Sequence, residues 1–124
     1  MLELYRCNIC GQMVLVVEEG KGTLVCCNQP MTHIPEKHGG EEGKEKHIPV
    51  VEKTANGIVV KVGSVPHPMT DEHYIRWIEV MGDTFLQVST LKPGDAPEKE
   101  FCVPFDEVKK VRIYCNVHGF WTDQ

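Results

Sequence analysis

The chain has 124 residues, of which 41% are hydrophobic and 25% charged, a composition typical of a globular protein and not of a disordered or fibrous one. Its formal net charge of −5 argues against nucleic acid as the main partner, because binding to phosphates depends on basic side chains. The longest apolar run, Met13 to Val17, is too short to cross a membrane, and the first residues lack the features of a signal peptide. We therefore expect a cytoplasmic protein without a membrane partner.

The N-terminal segment carries four of the six cysteines, as Cys7-Asn8-Ile9-Cys10 and the adjacent pair Cys26-Cys27. A Cys-x-x-Cys turn and a second cysteine pair offer four soft thiolates, a set suited to zinc or iron. A structural zinc knuckle is one interpretation, whereas a thioredoxin-like redox pair is disfavoured because no βαβ pattern surrounds the motif. Neighbouring side chains on an extended backbone point to opposite sides, so the adjacent pair should strain the local geometry.

Two β-rich runs in the same segment, Met13 to Val17 and Thr23 to Val25, flank a turn signal at residues 18–22. This pattern predicts a short hairpin with a metal at its base. A unit of this size buries too little apolar surface to fold alone, so the thiolates and their metal would be its staple.

Residues 36–46 are glycine-rich and charged, which is typical of a linker or mobile loop. Short β-rich runs separated by turn signals such as Asn56-Gly57 follow, and no stretch sustains a helical period over three turns. The pattern predicts an all-β sandwich of seven strands, at residues 48–52, 58–63, 74–81, 85–91, 100–103, 108–114 and 120–122.

A second group of metal-ligating residue types lies at or next to the predicted strand ends: His47, His67, His73, Cys115 and His118. A single histidine in a loop is more often solvated than a ligand, but the grouping favours a metal. Cys115-x-x-His118 places two ligands on one turn, and the prolines that flank His67 stiffen its loop. Several loops at one end of a sandwich would present these ligands together.

These motifs resemble those of the desulfoferrodoxins, superoxide reductases that carry two iron centres. The resemblance runs through nearly the whole chain. Its motifs are Cys7-x-x-Cys10, Cys26-Cys27, Glu45-Lys46-His47, GSVPHPM at 63–69, LKPGDAP at 91–97 and Cys115-Asn116-x-His118-Gly119. It implies an all-β fold with a small desulforedoxin-like metal domain over residues 1–36 and a seven-stranded immunoglobulin-like β-sandwich over residues 37–124.

The resemblance also implies two non-haem iron ions per chain. An Fe(Cys)4 centre would be held by the N-terminal thiolates: Cys7, Cys10, Cys26 and Cys27. An Fe(His)4Cys centre would have four equatorial histidines and one axial thiolate: His47, His67, His73, His118 and Cys115. Glu45 would be a sixth ligand of the resting ferric site, and Lys46 would attract superoxide and position water.

The implied activity is one-electron reduction of superoxide to hydrogen peroxide at the ferrous Fe(His)4Cys centre, for superoxide detoxification. Four neutral imidazoles and one thiolate leave a ferrous ion with a net positive charge, which attracts an anion. The Fe(Cys)4 centre would store or relay an electron, and we expect a rubredoxin-like donor and a homodimer. The alternatives are a superoxide dismutase, a zinc-stapled binding module and a pure electron carrier.

Other polar and aromatic residues receive simpler interpretations. Cys102 lies in an apolar run and is expected to be a buried core thiol. His33 and His38 are expected in loops, and Trp77 and Trp121 in the core or at the edge of the site. The basic residues Lys109, Lys110 and Arg112 are expected on the solvated face of a strand.

Overall fold

The structure is a computed structural model that describes residues 2–38 and 44–124, and of Lys44 and Glu45 the backbone alone. The chain divides into two compact units, Met1–Pro35 and Glu36–Gln124. The regular secondary structure of both units is almost entirely β-strand, as expected for an all-β fold. Within the described residues, no helix is long and apolar enough to span a membrane.

The first unit is built from very short strands. They are β1 (Leu4–Arg6), β2 (Met13–Leu15), β3 (Val25–Cys26), β4 (Gln29–Pro30) and β5 (Thr32–Ile34). β1 is the centre of a three-stranded antiparallel sheet and pairs with β2 on one side and β5 on the other. β3 and β4 form a separate two-stranded ribbon.

The predicted hairpin between Met13–Val17 and Thr23–Val25 is wrong. β2 pairs instead with β1, so the Cys7–Cys10 turn is itself the hairpin connection, closed by a hydrogen bond from the Cys7 N–H to the Gln12 carbonyl at 2.8 Å. β3 pairs with β4 through a two-residue turn. The two-residue connection between β3 and β4 is the length that hairpins favour most, whereas residues 18–22 would give a longer one.

The adjacent cysteines lie at this second turn. Cys27 and Asn28 both have positive φ angles, 51° and 67°. Positive φ at both central residues is the signature of a type I′ hairpin turn, and asparagine tolerates it better than other side chains. The left-handed backbone at Cys27 breaks the alternation of an extended strand, so that adjacent thiols no longer point to opposite sides. The expected local strain is thus present in the backbone of the pair.

The second unit contains eight strands and two single helical turns among its described residues. They are β6 (Glu36–Lys37), α1 (Lys44–His47), β7 (Pro49–Thr54), β8 (Gly57–Val62), β9 (Ile75–Met81), β10 (Leu86–Thr90), β11 (Glu98–Phe101), a 3-10 turn (Phe105–Glu107), β12 (Lys110–Cys115) and β13 (Gly119–Thr122). β7 to β13 correspond to the seven predicted strands. The eighth, β6, falls in the predicted linker.

Two sheets of the second unit form a sandwich. One has the order β10-β9-β12-β13-β6 and the other the order β11-β8-β7. The apolar side chains that alternate along each strand meet between the sheets. This core contains Ile58, Val60, Val62, Ile75, Ile78, Val80, Leu91, Phe101, Val103, Val111, Ile113, Cys115 and Trp121.

The sandwich brings several connections to one end. β7 begins where β8 ends, since Pro49 pairs with Val62, and β9 begins where β12 ends, since Cys115 pairs with Ile75. The connection from α1, the segment between β8 and β9 and the β12–β13 turn therefore lie at the same edge. The predicted metal ligands of this unit come from these three connections.

β6 corrects the linker prediction at residues 36–46. Glu36 and Lys37 pair in parallel with Phe120 and Trp121 of β13. Glu36 accepts from Lys110 at 2.6 Å and from Arg112 at 3.0 Å, which compensates for the lack of apolar side chains in this segment. α1 also lies in the predicted linker, whereas residues 39–43 of that segment lie outside the described residues.

The prediction of a solvated basic face on β12 is wrong for Arg112. Its side chain is 1% exposed and lies 2.7 Å from the carboxylate of Glu79, which is equally buried. The guanidinium also lies over the ring of Phe120, 4.5 Å from its centroid. Trp77 donates to the other oxygen of Glu79 at 2.7 Å, so the outer face of β9 and β12 holds a buried ionic network.

Two more residues differ from their expected surroundings. Cys102 is exposed, because β11 ends at Phe101 and the chain turns before the buried Val103. His33 lies within β5, where its Nε2 atom is 3.0 Å from the carboxylate of Glu3. The expected burial of the first and the loop position of the second are both wrong.

Candidate metal centres

The first unit brings four thiols together. Within the described residues, the sulfur atoms of Cys7, Cys10, Cys26 and Cys27 all lie within 4.8 Å of one another. Cys7 is buried and Cys10 and Cys27 are exposed, so the group lies at the surface of the unit. Four sulfur donors at this spacing fit iron or zinc in a tetrahedral site, and the donor set alone does not separate the two metals.

The thiols differ in acidity. The pKa of Cys7 is lowered to about 6, mainly by the backbone N–H of Cys10, which donates to its sulfur. The pKa of Cys26 is raised to about 12, mainly by its hydrogen bond with Cys10 and then by the one with Cys7. The Cys7 thiolate is thus stabilised, while the raised pKa of Cys26 and Cys27 favours their protonated thiols, whose protons a bound cation would replace.

Four imidazole rings of the second unit form a closed square. Successive ring centroids are 4.7 Å apart for His47–His67 and His67–His73, and 4.9 Å apart for His73–His118 and His118–His47. The diagonal from His47 to His73 is 6.5 Å, and neighbouring rings are tilted by 69° to 82°. The four rings thus surround one centre, but the group of donor atoms that lie within 4.8 Å of one another among the described residues contains His47, His67, His73 and Cys115 and not His118.

The nitrogens that face the centre are identified by their contacts. His67 Nε2 lies 3.0 Å from His47 Nε2, and His118 Nδ1 lies 3.9 Å from the sulfur of Cys115. His67 Nδ1 lies 2.7 Å from the Pro68 carbonyl, so it carries the ring proton and leaves Nε2 with a lone pair. His118 therefore offers Nδ1, while His47 and His67 offer Nε2.

His73 supplies the observation that tests whether this site fits a metal. Its Nε2 atom is buried and has no hydrogen-bond partner within residues 2–38 and 44–124. A buried polar nitrogen without a partner is costly unless a ligand compensates it. Nitrogens of His47, His67 and His73 and the Cys115 sulfur all lie within 4.8 Å of one another. The site fits a cation.

The donor set and its shape indicate which cation. Zinc in proteins favours four ligands in a tetrahedron, whereas this site offers four imidazoles in a square and one sulfur. A nitrogen-rich set with one thiolate and an open position suits a redox-active transition metal such as iron. The residues therefore fit the iron centre that the resemblance implies.

The sulfur of Cys115 is fixed by its own turn. The buried thiol accepts the backbone N–H of His118 at 3.3 Å, as expected for a Cys-x-x-His turn. Burial raises the pKa of this thiol, and the backbone N–H groups of His118 and Val117, followed by the charge of Lys37, oppose the rise. These groups favour the thiolate that a metal requires.

Asn116 ties the Cys115 turn to the loop that holds His73. Its side-chain oxygen accepts from the Tyr74 N–H at 2.9 Å, and its amide nitrogen donates to the Glu72 carbonyl at 3.0 Å. The backbone on both sides of His73 is therefore held by one side chain. The sequence pattern does not reveal this role of the Asn116 side chain, because its partners lie more than 40 residues away in the sequence.

Lys46 and Glu45 lie on α1, immediately before His47. Lys46 is exposed, and its charge acts on His73, whose pKa is lowered first by burial, then by His118 and then by Lys46. The charge of Lys46 is therefore felt within the square, at His73. The side chain of Glu45 lies outside the described residues, so its role stays a prediction.

Acid should destabilise the second unit through His67. Burial lowers the pKa of this imidazole from 6.5 to about 4, against the opposing effect of its bond with the Pro68 carbonyl. Between these values the unfolded chain binds a proton that the folded chain does not. The free energy of unfolding of the metal-free chain should therefore fall as the pH is lowered from about 6.5 to about 4, by at most roughly 3 kcal/mol from this residue.

Urea unfolding followed by tryptophan fluorescence measures this effect, because both tryptophans lie in the second unit. His67→Gln should show a shallower dependence on pH than the unmodified chain. Equal slopes for the two chains would contradict the prediction.

Comparisons with known proteins agree with the two-unit division. The desulfoferrodoxin family model matches residues 39–124, and the model of the desulfoferrodoxin N-terminal domain matches residues 1–34. The desulfoferrodoxin of Nitratidesulfovibrio vulgaris is 53% identical over 120 residues, which are 96% of this chain and 93% of that protein. The desulfoferrodoxin homolog of Archaeoglobus fulgidus is 51% identical over 121 residues, covering 98% and 95% of the two chains.

A solved structure is similar over the full length. The superoxide reductase from Treponema pallidum has a TM-score of 0.81 and 32% identity, covering 100% of this chain and 98% of that one. The two family models together include the four N-terminal cysteines and the histidine square with Cys115. Relatives near 50% identity cover almost the whole chain. The chain belongs to the desulfoferrodoxin family.

Proposed function

We propose that the chain is a superoxide reductase that converts superoxide to hydrogen peroxide at the square of histidines. The single observation that carries this proposal is the arrangement of four imidazoles around one centre, with the buried Cys115 sulfur beside them. The ligands proposed for this centre are His47, His67, His73, His118 and Cys115.

When bound, a ferrous ion would supply the one electron that superoxide needs, and two protons complete the peroxide. The residues of the chain do the remaining work. The imidazoles of His67 and His73 stay neutral at neutral pH because burial lowers their pKa, and an imidazole that binds a metal through its lone pair carries no charge. The ligand set then carries only the charge of the Cys115 thiolate, which leaves a ferrous centre positive and attractive to an anion.

Lys46 is proposed to attract superoxide and to hold the water that delivers protons. Lys46 is exposed and lies between Glu45 and the proposed ligand His47 in the sequence. Its positive charge contributes to the lowered pKa of His73. A cation at the rim of a small positive site raises the encounter rate with an anion, and salt weakens this effect. Glu45 is proposed as the carboxylate that caps the oxidised centre.

The four thiols of the first unit are proposed to hold a second iron ion that stores or relays an electron. Four thiolates give this centre a negative charge with either ferrous or ferric iron, which opposes superoxide binding. We assign residues 1–36 to this electron-storing domain and residues 37–124 to the reductase domain. A rubredoxin-like protein is the proposed external donor.

A cytoplasmic location and a homodimer complete the proposal. All six cysteines lie within the described residues and are free thiols, as is usual in a reducing compartment. The first unit is too small to be stable without a metal or a partner, which supports association of two copies. Analytical ultracentrifugation of the iron-loaded chain would test the dimer.

The decisive experiment measures products and metal in the same preparation. A superoxide reductase should contain about two iron ions per chain and, with an electron donor present, form about one peroxide for each superoxide consumed. A dismutase would form one peroxide for two superoxide ions without a donor. Zinc in place of iron, or a ratio near one half, would reject the proposal.

A variant of the first centre separates reduction from electron carriage. Cys7→Ser should lose the Fe(Cys)4 centre but keep the reaction of prereduced protein with superoxide, because the histidine square lies in the other unit. Loss of that reaction in Cys7→Ser, with the second iron still bound, would favour the pure electron carrier.

A further inference from the structure

Lys37 makes contacts with the second centre that neither the family motifs nor the ligand set includes. Its Nζ atom donates to the His118 carbonyl at 2.8 Å and lies 5.3 Å from the centroid of the Trp121 ring. Lys37 belongs to β6, whose pairing with β13 aligns it with Trp121. The half-buried lysine is therefore held by three contacts: the strand pairing of its backbone, the hydrogen bond from its ammonium group to His118 and the cation–π contact with Trp121.

The same carbonyl has a second donor. Trp121 Nε1 donates to the His118 carbonyl at 3.1 Å, and the Trp121 ring stacks on the ligand His47 at 4.7 Å and 13°. The two donors fix the position of His118. Its ring nitrogen is 3.9 Å from the Cys115 sulfur, and its backbone N–H donates to the same sulfur. Lys37 and Trp121 thus act on three proposed ligands through one carbonyl and one ring.

The end of the Lys37 side chain lies beside Gly119, the residue after His118. Gly119 has a φ of +88°, and a Cβ atom at this position would lie 3.8 Å from Lys37 Cε and 3.9 Å from Nζ, an ordinary van der Waals contact. The positive φ, and not lack of space, therefore favours glycine here.

From this geometry we propose that Lys37 is a positioning residue that holds the Cys115–His118 turn and places a positive charge beside the thiolate end of the centre. The inference rests on the proposed iron centre of the second unit. A nearby cation opposes the more positive, oxidised state of a metal centre, so Lys37 raises the reduction potential. Lys46 lies on α1 and acts on His73, so the two lysines serve different parts of the site.

The first measurement is the reduction potential of the iron-loaded full chain by spectroelectrochemistry. Lys37→Met should shift the midpoint of the second centre to more negative values, whereas Lys37→Arg, which keeps the charge, should restore it. Lys53→Met is the matched control, because this exposed lysine lies near the far end of β7 and its removal changes the net charge equally. Equal midpoints for Lys37→Met and the unmodified chain would overturn the electrostatic role.

The second measurement needs no iron. In the metal-free full chain, the Trp121 indole N–H resonance, assigned with Trp121→Phe, should shift in Lys37→Met and return in Lys37→Arg. An unchanged resonance would overturn the positioning role. A chain that binds no iron at the second centre would overturn the proposed function and the electrostatic role together, while this resonance would still decide the positioning role.

Discussion

Replacement of Cys115 by serine should abolish superoxide reduction. The sulfur is buried, accepts the His118 N–H at 3.3 Å and is the only sulfur in the second group of donor atoms found among the described residues. A hydroxyl at this position is neutral at neutral pH and donates less electron density to iron. Because the loss of supporting partners alone costs 10- to 100-fold, loss of this ligand should lower the rate by at least about 100-fold.

Pulse radiolysis or stopped-flow mixing of the reduced protein with superoxide measures this rate. Cys102→Ser is the matched control, because Cys102 is exposed and belongs to neither donor group. This variant should react like the unmodified chain. A Cys115→Ser protein that reacts at the same rate as Cys102→Ser would show that the thiolate is not needed, and the assigned centre would fail with it.

Replacement of Arg112 by methionine should strongly destabilise the second unit. The guanidinium is the buried partner of Glu79, with its Nε atom 2.9 Å from Oε1, and it also contacts Glu36. Burial raises the pKa of Glu79, and Arg112 is the first of the groups that oppose the rise. Removal of one partner from a buried ion pair leaves an uncompensated group, so the free energy of unfolding should fall by about 3–5 kcal/mol.

Two further variants separate burial from charge. Lys61→Met breaks the exposed pair with Glu52, which should cost less than about 1 kcal/mol. The double variant Arg112→Met with Glu79→Leu removes both buried charges and should recover a large part of the lost stability. Urea unfolding measures all three, and a cost for Arg112→Met no greater than that for Lys61→Met would contradict the prediction.

The sequence was most informative where spacing and residue type determine local geometry. Cys7-x-x-Cys10 and Cys115-x-x-His118 each place two donors on one turn, and in both turns the backbone N–H of the last residue donates to the sulfur of the first. Alternating apolar residues also identified the sandwich strands, because burial of one face requires that period. The all-β prediction is therefore confirmed by the strands from Pro49 onward.

The misplaced features depend on contacts between distant residues. Arg112 resembles a solvated residue in sequence, because its partners Glu79 and Glu36 lie 33 and 76 positions away. The same holds for β6, whose two polar residues form a strand only because β13 offers an edge. The sequence also predicted that β2 forms a hairpin with residues 23–25, but β2 pairs with β1. Local β propensity identifies a strand without specifying which strand it pairs with.

The two donor groups also differ in how far apart their members lie along the chain. The first group is complete once the chain extends from Cys7 to Cys27, whereas the second spans His47 to Cys115 and needs the three connections at one end of the sandwich. During synthesis, the first donor set is therefore complete while the second still lacks its last members, and an ion bound there would stabilise the small first unit before the β-sandwich is fully synthesised.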